Sequence, residues 1–125
     1  MNGLVFDAGG LIALERNDRR LYAMLAVAIE DDARIVVPAT ALAQVIRNPA
    51  KQVRLWRTIQ HERTEVIPLD GKHAQAVGAL LARTRTRDIV DAHVVVCARE
   101  FGFAVVTGDA DDLRRLDPEL RLVAL

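Results

Sequence analysis

Three aspartates far apart in the chain, Asp7, Asp91 and Asp109, stand where their carboxylates could share one task. Asp7 directly follows the apolar run Leu4 to Phe6. Asp109 follows Phe103 to Val106 by a Thr107-Gly108 turn, and both runs read as strands. In an open parallel sheet the loops at the carboxyl ends of the strands leave the ligand-binding crevice, so both side chains are expected on one rim. Asp91 lies one turn into the otherwise apolar stretch Asp88 to Glu100, and its three-residue spacing from Asp88 sets both carboxylates on one helix face. Within an apolar helix a carboxylate is costly to bury unless it is paired, protonated or bound to a cation. Converging carboxylates raise at least one pKa or recruit a hard cation, and an oxygen-only donor set selects Mg²⁺ or Mn²⁺ over zinc. The chemistry expected of such a site is metal-dependent phosphodiester cleavage.

Helix capping competes for the same residues. Asp88 suits an N-cap, and Asp109 with Asp112 repeats that spacing ahead of Leu113. Asp111 and Asp112 are expected to be solvated or auxiliary. Asp7, before Gly9-Gly10, has no cap role that demands aspartate, although a turn could account for it.

The elements that must position these acids follow from pattern. Short β-branched or apolar runs bounded by turn residues alternate with stretches of helical period, the mark of βα units. Strands are expected at Leu4 to Phe6, Ile35 to Val37, Val66 to Leu69, Phe103 to Val106 and Leu120 to Leu125, with the third at a sheet edge because of Pro68. Helices are expected over Leu11 to Leu14, Leu21 to Ile29, Thr40 to Arg47 with Thr40 as N-cap, Ala50 to about His61, Lys72 to Ala82, Asp88 to Glu100 and Asp109 to Leu116. The fold class is therefore a three-layer α/β/α sandwich with a mostly parallel sheet of about five strands. Residues 1–125 are expected to form a single domain.

Composition narrows the class further. With 125 residues and 51% apolar side chains, the chain can bury a core without a metal or disulfide staple. Seventeen basic and 17 acidic residues cancel, which argues against nucleic-acid binding through a broad positive field but leaves room for a local basic strip. The single cysteine, Cys97, sits in an apolar run and can form no disulfide framework. No secretory signal or membrane span is recognisable, so a cytoplasmic location is expected.

At these residues the sequence resembles the PIN domain family, and within it the small VapC-like ribonuclease toxins. The resemblance runs through Val5-Phe6-Asp7-Ala8-Gly9-Gly10-Leu11-Ile12-Ala13-Leu14, Val37-Pro38-Ala39-Thr40-Ala41-Leu42-Ala43-Gln44-Val45, Asp88-Ile89-Val90-Asp91-Ala92-His93 and Val105-Val106-Thr107-Gly108-Asp109-Ala110-Asp111-Asp112-Leu113. It implies a Mg²⁺- or Mn²⁺-dependent endoribonuclease, the toxin of a toxin–antitoxin pair, with an RNA substrate, a cognate antitoxin partner and pairing into a homodimer. Family ligand positions carry over onto Asp7, Asp91 and Asp109, with Asp88 and Asp112 as supporting acids.

One position departs from the family pattern. The family usually places a glutamate on the helix after the second strand, where this chain has Gln44. A neutral amide adds no negative charge, so metal affinity and catalysis should fall, and a degenerate module that binds RNA or protein without hydrolysis is the alternative. Glu15 is an auxiliary candidate, although an exposed glutamate beside Arg16 is more commonly a surface residue.

Arg47 and Arg87 are candidate RNA contacts, among two runs of basic residues, Lys51-Arg54-Arg57 and Arg83-Arg85-Arg87. Trp56 could stack a base, anchor a partner helix or pack in the core. His61, His73 and His93 show no ligand spacing; His93 is expected near the site and the others at the surface. A receiver-like or phosphatase domain also places acids after the first strand. It fits less well, since no second aspartate follows Asp7 by two residues and no lysine follows Val105-Val106-Thr107.

Overall fold

A computed structural model describes residues 2–125. In chain order the elements are β1 (Gly3–Phe6), α1 (Ala8–Glu15), α2 (Arg19–Glu30), β2 (Arg34–Pro38), α3 (Ala39–Val45), α4 (Val53–Ile59), β3 (Thr64–Ile67), α5 (Gly71–Thr84), α6 (Ile89–Phe101), β4 (Ala104–Thr107), α7 (Ala110–Leu116) and β5 (Leu122–Ala124). A short 3₁₀ turn, Pro49–Lys51, precedes α4. The five strands form one sheet in the order β3-β2-β1-β4-β5 and every pairing is parallel. β3 is an edge strand as expected, but it spans Thr64–Ile67 rather than Val66 to Leu69, so Pro68 ends the strand instead of lying within it.

Parallel neighbours need right-handed crossovers, so the helices fall into two groups: α1 packs with α2, α3 and α4, and α5, α6 and α7 pack with one another, with α3 also touching α6. The central strands, buried on both faces, read as unbroken apolar runs rather than alternating ones. Val5, Phe6, Val36, Val37, Val105 and Val106 are fully buried, and Leu11, Leu113, Val94 and Val95 cover them from the helices. α6 lies against β1, β2 and β4, which explains an apolar helix broken only at its N-terminal turn, at His93 and at its C-terminal end.

The chain runs from β1 outward to β2 and β3, then returns to place β4 on the other side of β1. This reversal creates a switch point between β1 and β4, where the crevice at the carboxyl ends of the strands opens. The Gly9-Gly10 pair is what lets α1 start there. A Cβ on Gly9 would lie 2.8 Å from the Gly108 backbone, and one on Gly10 would lie 2.7 Å from the Val106 carbonyl oxygen. The Asp7 N–H already donates to that same carbonyl at 3.2 Å. Gly10→Ala should therefore push α1 off β4 and cost about 1–3 kcal/mol, the usual range for overpacking. Urea unfolding of the two proteins checks this; an unchanged midpoint would mean that the contact is not tight.

Several expected helices take different bounds, two of them for reasons visible in side-chain contacts. Thr40 does not cap α3, which begins at Ala39 with Pro38 at its N-cap; the Thr40 hydroxyl is drawn instead to His93 Nδ1 at 2.7 Å. The stretch from Ala50 to His61 is not one helix. Gln52 breaks it, because its buried side chain accepts from the N–H groups of Arg47 and Asn48 and donates to the Val45 carbonyl at 3.0 Å. One amide thereby satisfies the frayed end of α3, a role that outweighs continued helical pairing.

Candidate metal centre at the strand carboxyl ends

Asp7 leaves the end of β1, where the chain turns into α1. Its side chain is 4% exposed, and both oxygens are held: Oδ1 accepts from Gly10 N–H at 2.8 Å and Oδ2 from the Thr107 hydroxyl. Asp7 is thus the N-cap of α1, contrary to the expectation that it had no such role, because α1 starts at Ala8 rather than Leu11. Burial, the largest influence, pushes its pKa above the usual carboxylate value; the hydrogen bonds from Thr107 and Gly10 oppose the rise, and Asp109 adds to it.

Thr107 ties the two strand ends together. Fully buried at the end of β4, its hydroxyl donates to Asp7 and accepts the Asp109 N–H at 2.8 Å. Asp109 caps α7 through the Asp112 N–H at 3.4 Å, and Asp88 caps α6 through the Asp91 N–H at 2.9 Å. Of the three lead aspartates, only Asp91 is not a cap. It stands in the first turn of α6, half-buried, with its pKa pushed up to about 7 by burial first and then by the negative charges of Asp88, Asp7, Asp112 and Asp109. Asp112 is also raised, chiefly by its side-chain contact with Asp109. These influences place the other four acids within electrostatic reach of Asp91.

They do not form a closed ligand cage. Among the described residues, no three of the acids bring one oxygen each within 4.8 Å of one another, as a group in mutual contact would. Carboxylates without a counter-charge repel, and Mg²⁺ commonly takes one or two carboxylates directly while keeping several waters. Donor chemistry and charge accumulation suit a hydrated hard cation.

Asp88, Asp91 and Asp112 line a cleft of about 180 Å³ together with Thr86, Arg87 and Arg115. Arg87 is therefore on the cleft wall. Arg115 pairs with Asp112 at 3.4 Å, and its i,i+3 relation to Asp112 on α7 is the sequence signal for it. Thr107 carries no such signal, because a buried threonine at a strand end looks like ordinary β propensity.

The other candidates lie elsewhere or at the margin. Gln44 is exposed near the end of α3, which packs on both α1 and α6. Glu15 ends α1, at the opposite end of that helix from Asp7. Arg47 is exposed and bonds its neighbour's Ile46 carbonyl at 2.7 Å. Arg54 and Arg57 line a separate groove of about 480 Å³ with Tyr22 and Leu25, away from the acids. Trp56 is half-buried with its Nε1 enclosed and unpartnered. His73 is a correction: 6% exposed, it is not a surface residue, and packing of α5 on α6 brings it to a fully buried His93.

Comparison with known proteins places this geometry in a class. A profile of the PIN domain matches residues 4–118, and the chain belongs to the PIN domain family. Solved structures share the fold at low identity. The chain is similar to a chain of VapBC from Salmonella typhimurium bound to DNA, with 18% identity over 99% of this chain and 98% of that one and a TM-score of 0.74. It is also similar to a chain of VapBC2 from Rickettsia felis bound to a promoter DNA fragment, with 16% identity, 98% of each chain covered and a TM-score of 0.70. A chain of FitAcB from Neisseria gonorrhoeae matches at 17% identity, with 95% of each chain covered and a TM-score of 0.60. No curated protein matches the sequence. Among the described residues, no helix is long and apolar enough to cross a membrane.

Proposed function

We propose that this chain is a divalent-metal-dependent endoribonuclease, the toxin of a cytoplasmic toxin–antitoxin pair, working as a single domain over residues 1–125 and pairing with itself. The observation that carries the proposal is the gathering of Asp7, Asp88, Asp91, Asp109 and Asp112 at the β1–β4 switch point, where Thr107 bridges Asp7 and Asp109 and where burial first, then the other four carboxylates, push Asp91 up to about 7. Family membership supports the hydrolase class. The structural neighbours described as VapBC and FitAcB support a protein antitoxin as partner.

In this reading Asp7, Asp91 and Asp109 would hold Mg²⁺ or Mn²⁺, with Asp88 and Asp112 as supporting acids. Such an ion, when bound, supplies the Lewis acidity that activates water and stabilises a departing phosphodiester oxygen. Asp7 is fixed for this role by Gly10 and Thr107, so its carboxylate needs little reorganisation. Asp91, whose carboxyl is pushed up to about 7, would have to be ionised to hold such a cation, its proton passing to solvent. Arg87 and Arg115, on the cleft wall, present planar guanidinium donors suited to an RNA phosphate.

The test is cleavage of RNA in Mn²⁺ by the wild type and by Asp7→Asn. Asparagine is as good an N-cap as aspartate, so α1 should survive while the charge is lost. Cleavage should vanish in the variant; equal cleavage by both proteins removes the proposal.

Gln44 favours a second reading, a PIN module that binds RNA or protein without hydrolysis. Gln44→Glu separates the two. In an active enzyme the added charge should strengthen Mn²⁺ dependence and raise cleavage by up to about tenfold, the scale of supporting groups around a metal. Activity that appears only in the variant means that the natural chain is degenerate.

A further inference from the structure

A second cluster of ligating side chains lies inside the protein where α5 meets α6. His93 and Cys97 are both fully buried and one turn apart on α6, and His73 reaches them from α5. One atom of each, an imidazole nitrogen from either histidine and the Cys97 sulfur, falls within 4.8 Å of the other two. We propose that His73 Nδ1, His93 Nε2 and Cys97 Sγ form a binding site for a thiophilic d-block cation of the zinc class, distinct from the acidic cleft.

Geometry supports the assignment in two independent ways. The facing nitrogens, His73 Nδ1 and His93 Nε2, stand 3.0 Å apart. Two nitrogens on a tetrahedral zinc with bonds of about 2.0–2.1 Å are separated by about 3.3 Å, so the rings need part by only a few tenths of an ångström. The second support is the anchoring of the far nitrogens. His73 Nε2 meets Glu100 Oε2 at 2.5 Å, and His93 Nδ1 meets Thr40 Oγ1 at 2.7 Å. A carboxylate can only accept, so His73 Nε2 carries the proton and Nδ1 turns its lone pair inward. Carboxylate–histidine–metal arrangements use this orientation to fix a ligating ring.

With His73 Nε2 protonated, the 3.0 Å contact requires His93 Nε2–H to donate to His73 Nδ1 when no ion is bound, which leaves His93 Nδ1 to accept from the Thr40 hydroxyl. Ion binding moves the His93 proton to Nδ1, where the reoriented Thr40 oxygen accepts it, and the Cys97 thiol releases one proton to solvent. A donor set of two nitrogens and a thiolate selects the zinc class, whereas Mg²⁺ and Mn²⁺ prefer the oxygen donors of the cleft. The ion would tie α5 to α6, the helix that presents Asp91.

Cobalt(II) added to the untagged full-length chain tests this, because a thiolate ligand gives a sulfur-to-cobalt charge-transfer band. Cys97 is the only cysteine in the sequence, so such a band has a single source. The wild type should develop the band at about one equivalent per chain. Zinc should abolish it by displacement, and excess Mg²⁺ should not. Asp91→Asn should retain the band, which separates this site from the acidic one. Cys97→Ala should lack it, and His73→Gln should need at least about tenfold more cobalt to reach it. A folded wild type with no band at saturating cobalt overturns the proposal, as does a His73→Gln protein with undiminished affinity; both readouts stand even if Cys97→Ala fails to fold.

Discussion

Asp91→Asn should lower Mn²⁺-dependent RNA cleavage by about 10²-fold or more, the scale of losing one preorganised electrostatic group, and should at the same time stabilise the metal-free protein above pH 7. The two effects share one cause. The Asp91 carboxyl is pushed from 3.8 to about 7 in the folded chain, by burial and by four surrounding aspartates. Between those two values the folded protein holds a proton that the unfolded chain has released. Stability contributed by that proton is complete below pH 4, falls as pH rises, and is gone above pH 7. Solvent reaches the half-buried group, so screening reduces the effect to about 1–2 kcal/mol. Asparagine carries no charge to repel, and its stability should be flatter over this window. Unfolding at pH 5 and pH 8 in a chelator measures the difference, and added Mn²⁺ should restore the wild type selectively. Parallel pH profiles for the two proteins would show that Asp91 is not in the charged cluster.

Thr107→Val should cost about 2–4 kcal/mol although the side chains have nearly the same shape. The threonine hydroxyl serves two partners at once, donating to Asp7 Oδ2 and accepting from the Asp109 N–H. Valine removes the hydroxyl that a buried carboxylate and a backbone donor both use, and weakening the bonding of the charged group is the more expensive of these losses. The Thr107 bond also holds the Asp7 pKa down against burial, so its loss raises that pKa further. Cleavage should accordingly need higher pH and more Mn²⁺, whereas Thr107→Ser should keep most of both stability and activity. Denaturant midpoints and a Mn²⁺ titration of cleavage at two pH values provide the check. Equal behaviour of the valine and serine variants would mean that the hydroxyl is dispensable.

Much of the scaffold was legible in the chain. Apolar runs such as Ile35 to Val37 and Val105 to Val106 have no alternation because both faces of the sheet are covered, and that alone implies parallel strands between helix layers. The positions of Asp7 and Asp109 after their strands followed directly. Less legible was everything that depends on how a side chain is spent. Gly9-Gly10 looks like a turn after β1, yet the two glycines are helical residues chosen for close backbone contact, and that hid the capping role of Asp7. Gln52 breaks a seemingly continuous helical pattern because it serves the end of α3.

The histidines show the same division most plainly. His73 and His93 are twenty residues apart with no recognisable ligand spacing, and only the packing of α5 against α6 sets their rings 3.0 Å from each other. Residue order by itself determined the alternation of strands and helices, the parallel sheet and the rim on which the aspartates emerge, since hydrophobic period and turn chemistry are written locally. Tertiary structure decided which carboxylate is driven toward neutrality, which threonine bridges β1 and β4, and which histidines are enclosed. Those outcomes depend on desolvation and on distances between elements remote in sequence, quantities that no local pattern encodes.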